Sequence, residues 1–289
     1  DTEDYLAGVL KQHEKTRKDK EDDRTRHIET LQAHTGPAFL TYRDDRAIDL
    51  IVADACRNAP LYDFVAPDGV GHTVWEIAPG SACVADELQE LFARIPVAYI
   101  ADGHHRSAAA ARYAQAHGFA GESRWFLGVI FPASQLQILS YNRLVHDLNG
   151  LSAYEFLSRL SEKFTIGVKG ARNCRMYFEG QWYDLSWDIQ KNADAVGALD
   201  VSYLQDNLLA PILGVGDPRT DARISFMGGI RGDAALAAKV DSGENAVAFA
   251  MEPVTVEEMM AIADAGAIMP PKSTWFEPKL RSGLFVHTV

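Results

Sequence analysis

One segment, IPVAYIADGHHRSAAAARYAQ from Ile95 to Gln115, leaves the chain few choices of fold. Its apolar run Val97 to Ala101 has the length and composition of a buried strand. The alanine-rich run after Arg106 is a strong helix former, and Gly118 follows as a helix C-cap. Only Asp102-Gly103-His104-His105-Arg106 lies between them, so the strand must turn directly into the helix. A strand feeding a helix in so few residues requires a sheet with that helix packed on its face, which predicts an α/β core.

The surrounding pattern extends that core. PAFLTY reads as a strand, AIDLIVADACRNA as a helix, and LYDFVAPDGVGHTVWEIA as two strands around Pro67-Asp68-Gly69. DELQELFAR reads as a helix, and WFLGVIFPA and LQILSYNRLV as a further strand pair. Beyond them SAYEFLSRLSEKF, DVSYLQDNLLAPIL and VTVEEMMAIADAG have helical spacing, RMYFEG and QWYDLSW alternate as strands, and the tail ends in an apolar strand. The glycines of FMGGIRG lack the spacing of a Walker loop and read as a hairpin turn. The expected organisation is a charged helical segment over 1–36, an α/β phosphate-binding core over 37–150, and a C-terminal α+β portion over 151–289. The fold class is thus α/β (α+β), with a mixed sheet carrying the strand–GHHR–helix turn.

Charge narrows the partners. Forty acidic against 28 basic residues give a formal charge of −12, which disfavours capture of nucleic acid but leaves room for a local basic pocket. No apolar run is long enough for a membrane span and no leader opens the chain, which predicts a cytoplasmic protein. Cys56, Cys83 and Cys174 are far apart, and the expectation is reduced, buried thiols rather than a disulfide or zinc framework.

The strand-to-helix turn also points to chemistry. Free amide N–H groups and the positive end of the helix dipole favour an anion there, and Gly103 lets a ligand approach the backbone. Arg106 grips phosphate oxygens through its planar fork, and His104 or His105 can donate to a phosphate or take a proton from a hydroxyl. The simpler alternative is that Asp102 caps the helix and the histidines fill its first turn. Metal ligation by the histidine pair is a weaker alternative, because adjacent helical residues diverge. A second candidate is His13-Glu14-Lys15-Thr16-Arg17, read as a turn and a half of surface helix bearing a carboxylate, a hydroxyl and cations. The third is Lys272-Ser273-Thr274 after two prolines, a lysine and hydroxyls suited to an anion or simply to a packed turn.

Five motifs in order, EDYLAGVLKQHEKTRKDKEDDR, IADGHHR, GDPRTD, FMGGIRG and IMPPKSTWFEPKLRSGL, resemble a bacterial and archaeal family catalogued as domain of unknown function 1015. Members of that family begin well before the EDY segment, so the resemblance implies a missing N-terminal portion and an exposed apolar patch or strand edge where it belongs. Asp102 to Arg106 is also similar to the phosphate motif of the ParB and sulfiredoxin superfamily, most closely to that of its free serine kinases. Sulfiredoxin chemistry needs a cysteine in the motif, where this chain has histidine. The resemblance implies a nucleotide-dependent phosphotransferase on a small hydroxy compound such as serine, with ATP or ADP and Mg2+. Asp102, Gly103, His104, His105 and Arg106 would hold phosphates, Glu14 and His105 would be catalytic, and Lys15 and Arg17 would neutralise charge. A phosphoserine-type hydrolase and a non-catalytic nucleotide-binding regulator are the alternatives.

Overall fold

In the computed structural model, which describes residues 1–77, 82–189 and 193–289, the first half of the chain alternates short helices and strands. In order these are α1 (Thr2–Leu6), β1 (Leu10–Lys11), α2 (Lys18–Leu31), β2 (Ala33–His34), β3 (Ala38–Tyr42), α3 (Arg46–Ala55), β4 (Tyr62–Val65), β5 (Gly71–Val74), α4 (Ala82–Ala93), β6 (Ala98–Asp102), α5 (His104–Ala116) and β7 (Gly128–Pro132). A four-stranded sheet has the order β1-β6-β3-β7. In it β1 runs parallel to β6, β3 antiparallel to β6, and β7 parallel to β3. Every residue of β3 is buried, as a central strand covered on both faces requires. Ala109, Ala110, Ala111 and Ala114 are buried on α5, and their small side chains let α2 and the sheet approach its backbone. Gly118 closes α5 with a left-handed φ of 65°, as its position predicts.

The rest continues through β8 (Gln137–Leu139), β9 (Tyr141–Val145), α6 (Ala153–Ser161), β10 (Thr165–Ile166), β11 (Arg172–Phe178), β12 (Gln181–Trp187), α7 (Asp200–Leu204), β13 (Ile224–Gly228), α8 (Gly232–Asp241), β14 (Val247–Met251), α9 (Val256–Asp264), β15 (Trp275–Glu277) and β16 (His287–Thr288). An antiparallel six-stranded sheet has the order β10-β12-β11-β14-β9-β13. Its strands alternate: Cys174, Met176 and Phe178 enter the main core, while Tyr177 joins Leu236 of α8 on the other face. Glu179 and Gly180, both at positive φ, make the two-residue turn between β11 and β12. Capping boxes at Ser152 and Thr255 start α6 and α9. One core cluster runs from Phe39 and Tyr99 through Ile138 and Phe276 to Phe249 and Leu160. Fully burying such side chains is worth about 1.5–3 kcal/mol each. Among the described residues, no helix is long and apolar enough to cross a membrane.

Several sequence expectations give way to tertiary contacts. The first 36 residues are not simply exposed helix: Leu10 pairs with Ala98 and is buried among Ala38, Leu40 and Ile100. Residues 12–17, with the motif His13 to Arg17, therefore form a loop between a strand and a helix. WFLGVIFPA and LQILSYNRLV do not pair with each other, because β7 joins β3 while β8 joins β15 and β9 joins β13 and β14. FMGGIRG is a strand-to-helix turn rather than a hairpin. A Cβ on Gly228 would overlap the Trp275 indole, so that glycine seats the C-terminal segment against the sheet. Cys174 is buried but Cys56 is exposed at the end of α3, and the side chain of Cys83 lies outside the described residues. The tail strand is only two residues long and both Phe285 and Val286 before it are exposed.

Candidate functional site

Parallel pairing of β1 with β6 sends both strands out of the same edge of the sheet. The loop 12–17 and the turn Asp102–Arg106 consequently meet there, as connections at the carboxyl ends of neighbouring parallel strands do. The backbone N–H of Arg17 donates to Nε2 of His105 at 3.1 Å, which fastens the loop to α5. A third segment closes over them, with the N–H of Met269 donating to the carbonyl of His13 at 2.9 Å. Together these elements enclose a cavity of about 170 Å³, into which His13, Glu14, Asp102, His104, Lys272 and Lys279 contribute.

Gly103 is the N-cap of α5, at φ 98° and ψ 26°, and no side chain caps the helix. Asp102 is therefore not the cap, and the first amides of α5 retain the anion-binding character of an open helix N-terminus. A Cβ on Gly103 would lie 2.9 Å from Nε of Arg106, whose guanidinium folds back across the turn. Gly103→Ala is expected to lower stability by about 1–2 kcal/mol, the left-handed penalty for an L side chain, as a fall in the urea midpoint. An unchanged midpoint would mean that the turn relaxes to negative φ.

Buried imidazoles form the floor. His13 and His104 are 2% and 4% exposed, and their rings meet edge to face with centroids 4.6 Å apart. Burial pushes the His13 pKa down to about 4 against the pull of Asp102, and burial followed by His13, His105 and Arg106 holds His104 well below its usual value. Both rings are thus neutral at pH 7, each with one donor and one acceptor nitrogen. Nε2 of His104 has no protein partner, at a cost of about 1–3 kcal/mol for such a group, whereas His13 has the Ile100 backbone within reach. Phe276 packs on His13, with centroids 5.8 Å apart.

The charged groups sit around this floor. Asp102 lies 3.8 Å from Arg106 and 3.7 Å from Lys279. Lys272, at φ 56°, holds its ammonium 5.1 Å from the Tyr141 ring centre, and Ser273 is buried with its hydroxyl on the Pro270 carbonyl at 2.7 Å. Ser273 and Thr274 complete the lining, the latter with its hydroxyl 3.5 Å from Nε2 of His13. Glu14 is exposed at the rim. Lys15, Thr16 and Arg17 are not part of the lining: the Thr16 hydroxyl bonds Glu21, and Arg17 pairs with Asp19 at 2.8 Å. His105 is likewise outside the lining, with its Nε2 committed to Arg17. Sequence reasoning did not single out Lys279 or Tyr141. Lys279 stood in the tail motif IMPPKSTWFEPKLRSGL, but only the chain path over the sheet edge brings it to Asp102. Among the described residues, no group of three or more His, Cys, Asp or Glu is placed to hold a metal ion.

Comparison with known proteins agrees with the motifs. The family model described as Protein of unknown function (DUF1015) matches residues 1–202. No curated protein matches the chain. Among solved structures, SbnI with C-terminal truncation from Staphylococcus aureus is 12% identical, with 96% of this chain and 84% of that one covered and a TM-score of 0.52. A free serine kinase in complex with AMP is 14% identical, with 94% and 87% covered and a TM-score of 0.43. A conserved hypothetical protein from Pyrococcus furiosus is 16% identical, with 94% and 90% covered and a TM-score of 0.40. At these identities the SbnI likeness is one of fold.

Proposed function

The chain belongs to the DUF1015 family, and from that premise we propose a phosphotransferase that moves a phosphoryl group from a nucleotide to a small hydroxy compound, free serine being the first substrate to test. The observation that carries this reading is the meeting of Glu14, two neutral buried histidines and two lysines at the open N-terminus of α5. Phosphoryl transfer demands positioning and charge neutralisation rather than covalent help from the protein, and this set is suited to both. The similarity of the Asp102–Arg106 motif to that of free serine kinases supports the same reading.

In this scheme the α5 amides, Gly103 and the neutral N–H groups of His104 and His13 receive phosphate oxygens. Lys272 and Lys279 neutralise charge on the group in transfer, and Glu14 takes the proton of the acceptor hydroxyl as the oxygen attacks phosphorus. His105 acts through Arg17, keeping the Glu14 loop against α5. Magnesium would be carried by the nucleotide phosphates, with Asp102 as the carboxylate that could hold it, since such sites use one or two carboxylates plus phosphates. The cytoplasm is the expected compartment. The test is incubation with ATP or ADP, magnesium and serine, followed by phosphorus NMR. Phosphoserine with matching loss of nucleotide is expected. Phosphate released from phosphoserine without nucleotide use would assign a hydrolase instead, and tight nucleotide binding without turnover would assign a regulator.

A further inference from the structure

On the other side of the same turn lies a second cavity, of about 210 Å³. Arg24 and His27 reach it from one face of α2, His34 from β2, Thr35 from the loop behind it, Arg106 from the first turn of α5, and Ser282 from the C-terminal segment. The N–H of Gly283 donates to the Thr35 carbonyl at 2.7 Å, which fixes that segment in place. Gly36 keeps the wall open, since a Cβ there would come 3.2 Å from the Ser282 hydroxyl and 3.6 Å from Cδ of Arg106.

The lining has an unusual chemistry for this chain. No aspartate or glutamate among the described residues contributes to it, although the chain carries a net charge of −12. Two arginines, two histidines and two hydroxyl-bearing residues line one small space. Two of their nitrogens are buried without a protein partner: Nε2 of His34, a residue 8% exposed, and Nε of Arg106. The acids nearest the guanidinium groups are Asp102, 3.8 Å from Arg106, and Asp23, 3.6 Å from Arg24. A buried donor without an acceptor is costly, and a cavity lined by two arginines and no carboxylate suits an anion. Its volume falls below the roughly 300–1,000 Å³ of clefts that take whole drug-sized ligands, which suits one phosphoryl group.

We infer that this cavity is a phosphoryl-binding subsite separate from the Glu14 cavity, with Arg24 and Arg106 clamping the oxygens and His34 and Ser282 donating to them. The bound group is a phosphate that is not transferred, either one belonging to the nucleotide or free inorganic phosphate. Assignment to the nucleotide rests on the phosphotransferase reading, whereas the anion chemistry of the cavity does not.

Long-range proton–nitrogen spectra of the histidine rings test it, with inorganic phosphate, pyrophosphate and ADP as probes. The expected result is a shift of the His34 and His27 ring signals, with dissociation constants raised about tenfold or more by Arg24→Gln. Ser282→Ala should weaken binding in the same direction. A shift with ADP at concentrations where phosphate gives none identifies the nucleotide as the source. A shift with phosphate alone identifies the free ion. Perturbations confined to His13 and His104, or no shift with any probe, would overturn the inference, as would binding indifferent to both Arg24→Gln and Ser282→Ala. Binding that behaves as expected in a protein with no transfer activity would leave the subsite standing and remove the phosphotransferase reading alone.

Discussion

Glu14→Gln is expected to reduce kcat for phosphoryl transfer by roughly a hundred- to ten-thousandfold, the contribution of a positioned general base. The substitution keeps the size of the side chain and its place on the cavity rim, and it removes an exposed carboxylate of the lining, while the other carboxylate there, Asp102, is held by Arg106 and Lys279. His13 and His104 do not replace it, because both are enclosed beneath the ligand space and share it with the two lysines. Since Glu14 is exposed and, among the described residues, its side chain makes no hydrogen bond that organises the loop, thermal stability should hold. KM for the acceptor should change little, because a base acts chiefly in the transition state. Steady-state kinetics on wild type and variant separate these quantities. Activity retained at near wild-type kcat would remove Glu14 from the chemistry. A raised KM with unchanged kcat would make it a binding residue instead.

The local parts of this architecture were legible because local physics decides them. Val97 to Ala101 followed by a single glycine and an alanine-rich run has one reading, and the strand, the turn and the helix lie where that reading puts them. The capped helix α9 and the β11–β12 hairpin were equally open to reading, since caps, alternation and turn glycines are written within a few residues. β1 was not. A two-residue strand has no period of its own, and Leu10–Lys11 is a strand only because Ala98 and Tyr99 lie beside it. That single pairing turns the expected surface helix around Glu14 into a loop at the mouth of the site. Lys279, His34 and Ser282 were hidden for the same reason: the tail that carries Lys279 and Ser282 is held by contacts distant in sequence, including Trp275 over Gly228 and β16 on β2. Arg24 and His27 lay in a charge run whose ordinary meaning is a solvated helix face, and the distinguishing signal is their three-residue spacing beside Ile28, which is buried against α5.

Acid should destabilise the protein between pH 6.5 and about 4, well above the range where its paired carboxylates titrate. The physical cause is the neutral histidine floor. Burial pushes His13 to about 4 from an ordinary 6.5. Below pH 6.5 the unfolded chain takes a proton on this residue while the folded protein refuses it, so stability falls as pH falls. The loss is complete once pH has passed below the folded value. A gap from 6.5 to about 4 corresponds to about 3 kcal/mol at 1.36 kcal/mol per pH unit. His104 is displaced in the same direction by burial, and so is His34, lowered to about 4 by burial and by His287. Asp200 works the other way: burial raises its pKa to about 6, so its protonation on folding favours the folded state as pH falls through that value. Comparison with His13→Gln cancels Asp200, because the two residues share no interaction. Urea unfolding at pH 7.5, 6, 5 and 4 is therefore measured for both proteins. The stability of wild type relative to His13→Gln should decline across this window by about 3 kcal/mol and then level off. Two curves that stay parallel from pH 7.5 to 4 would show that His13 accepts its proton in the folded state. The floor of the site would then take up a positive charge as pH falls below 6.5, and the enclosure that keeps His13 neutral would be absent.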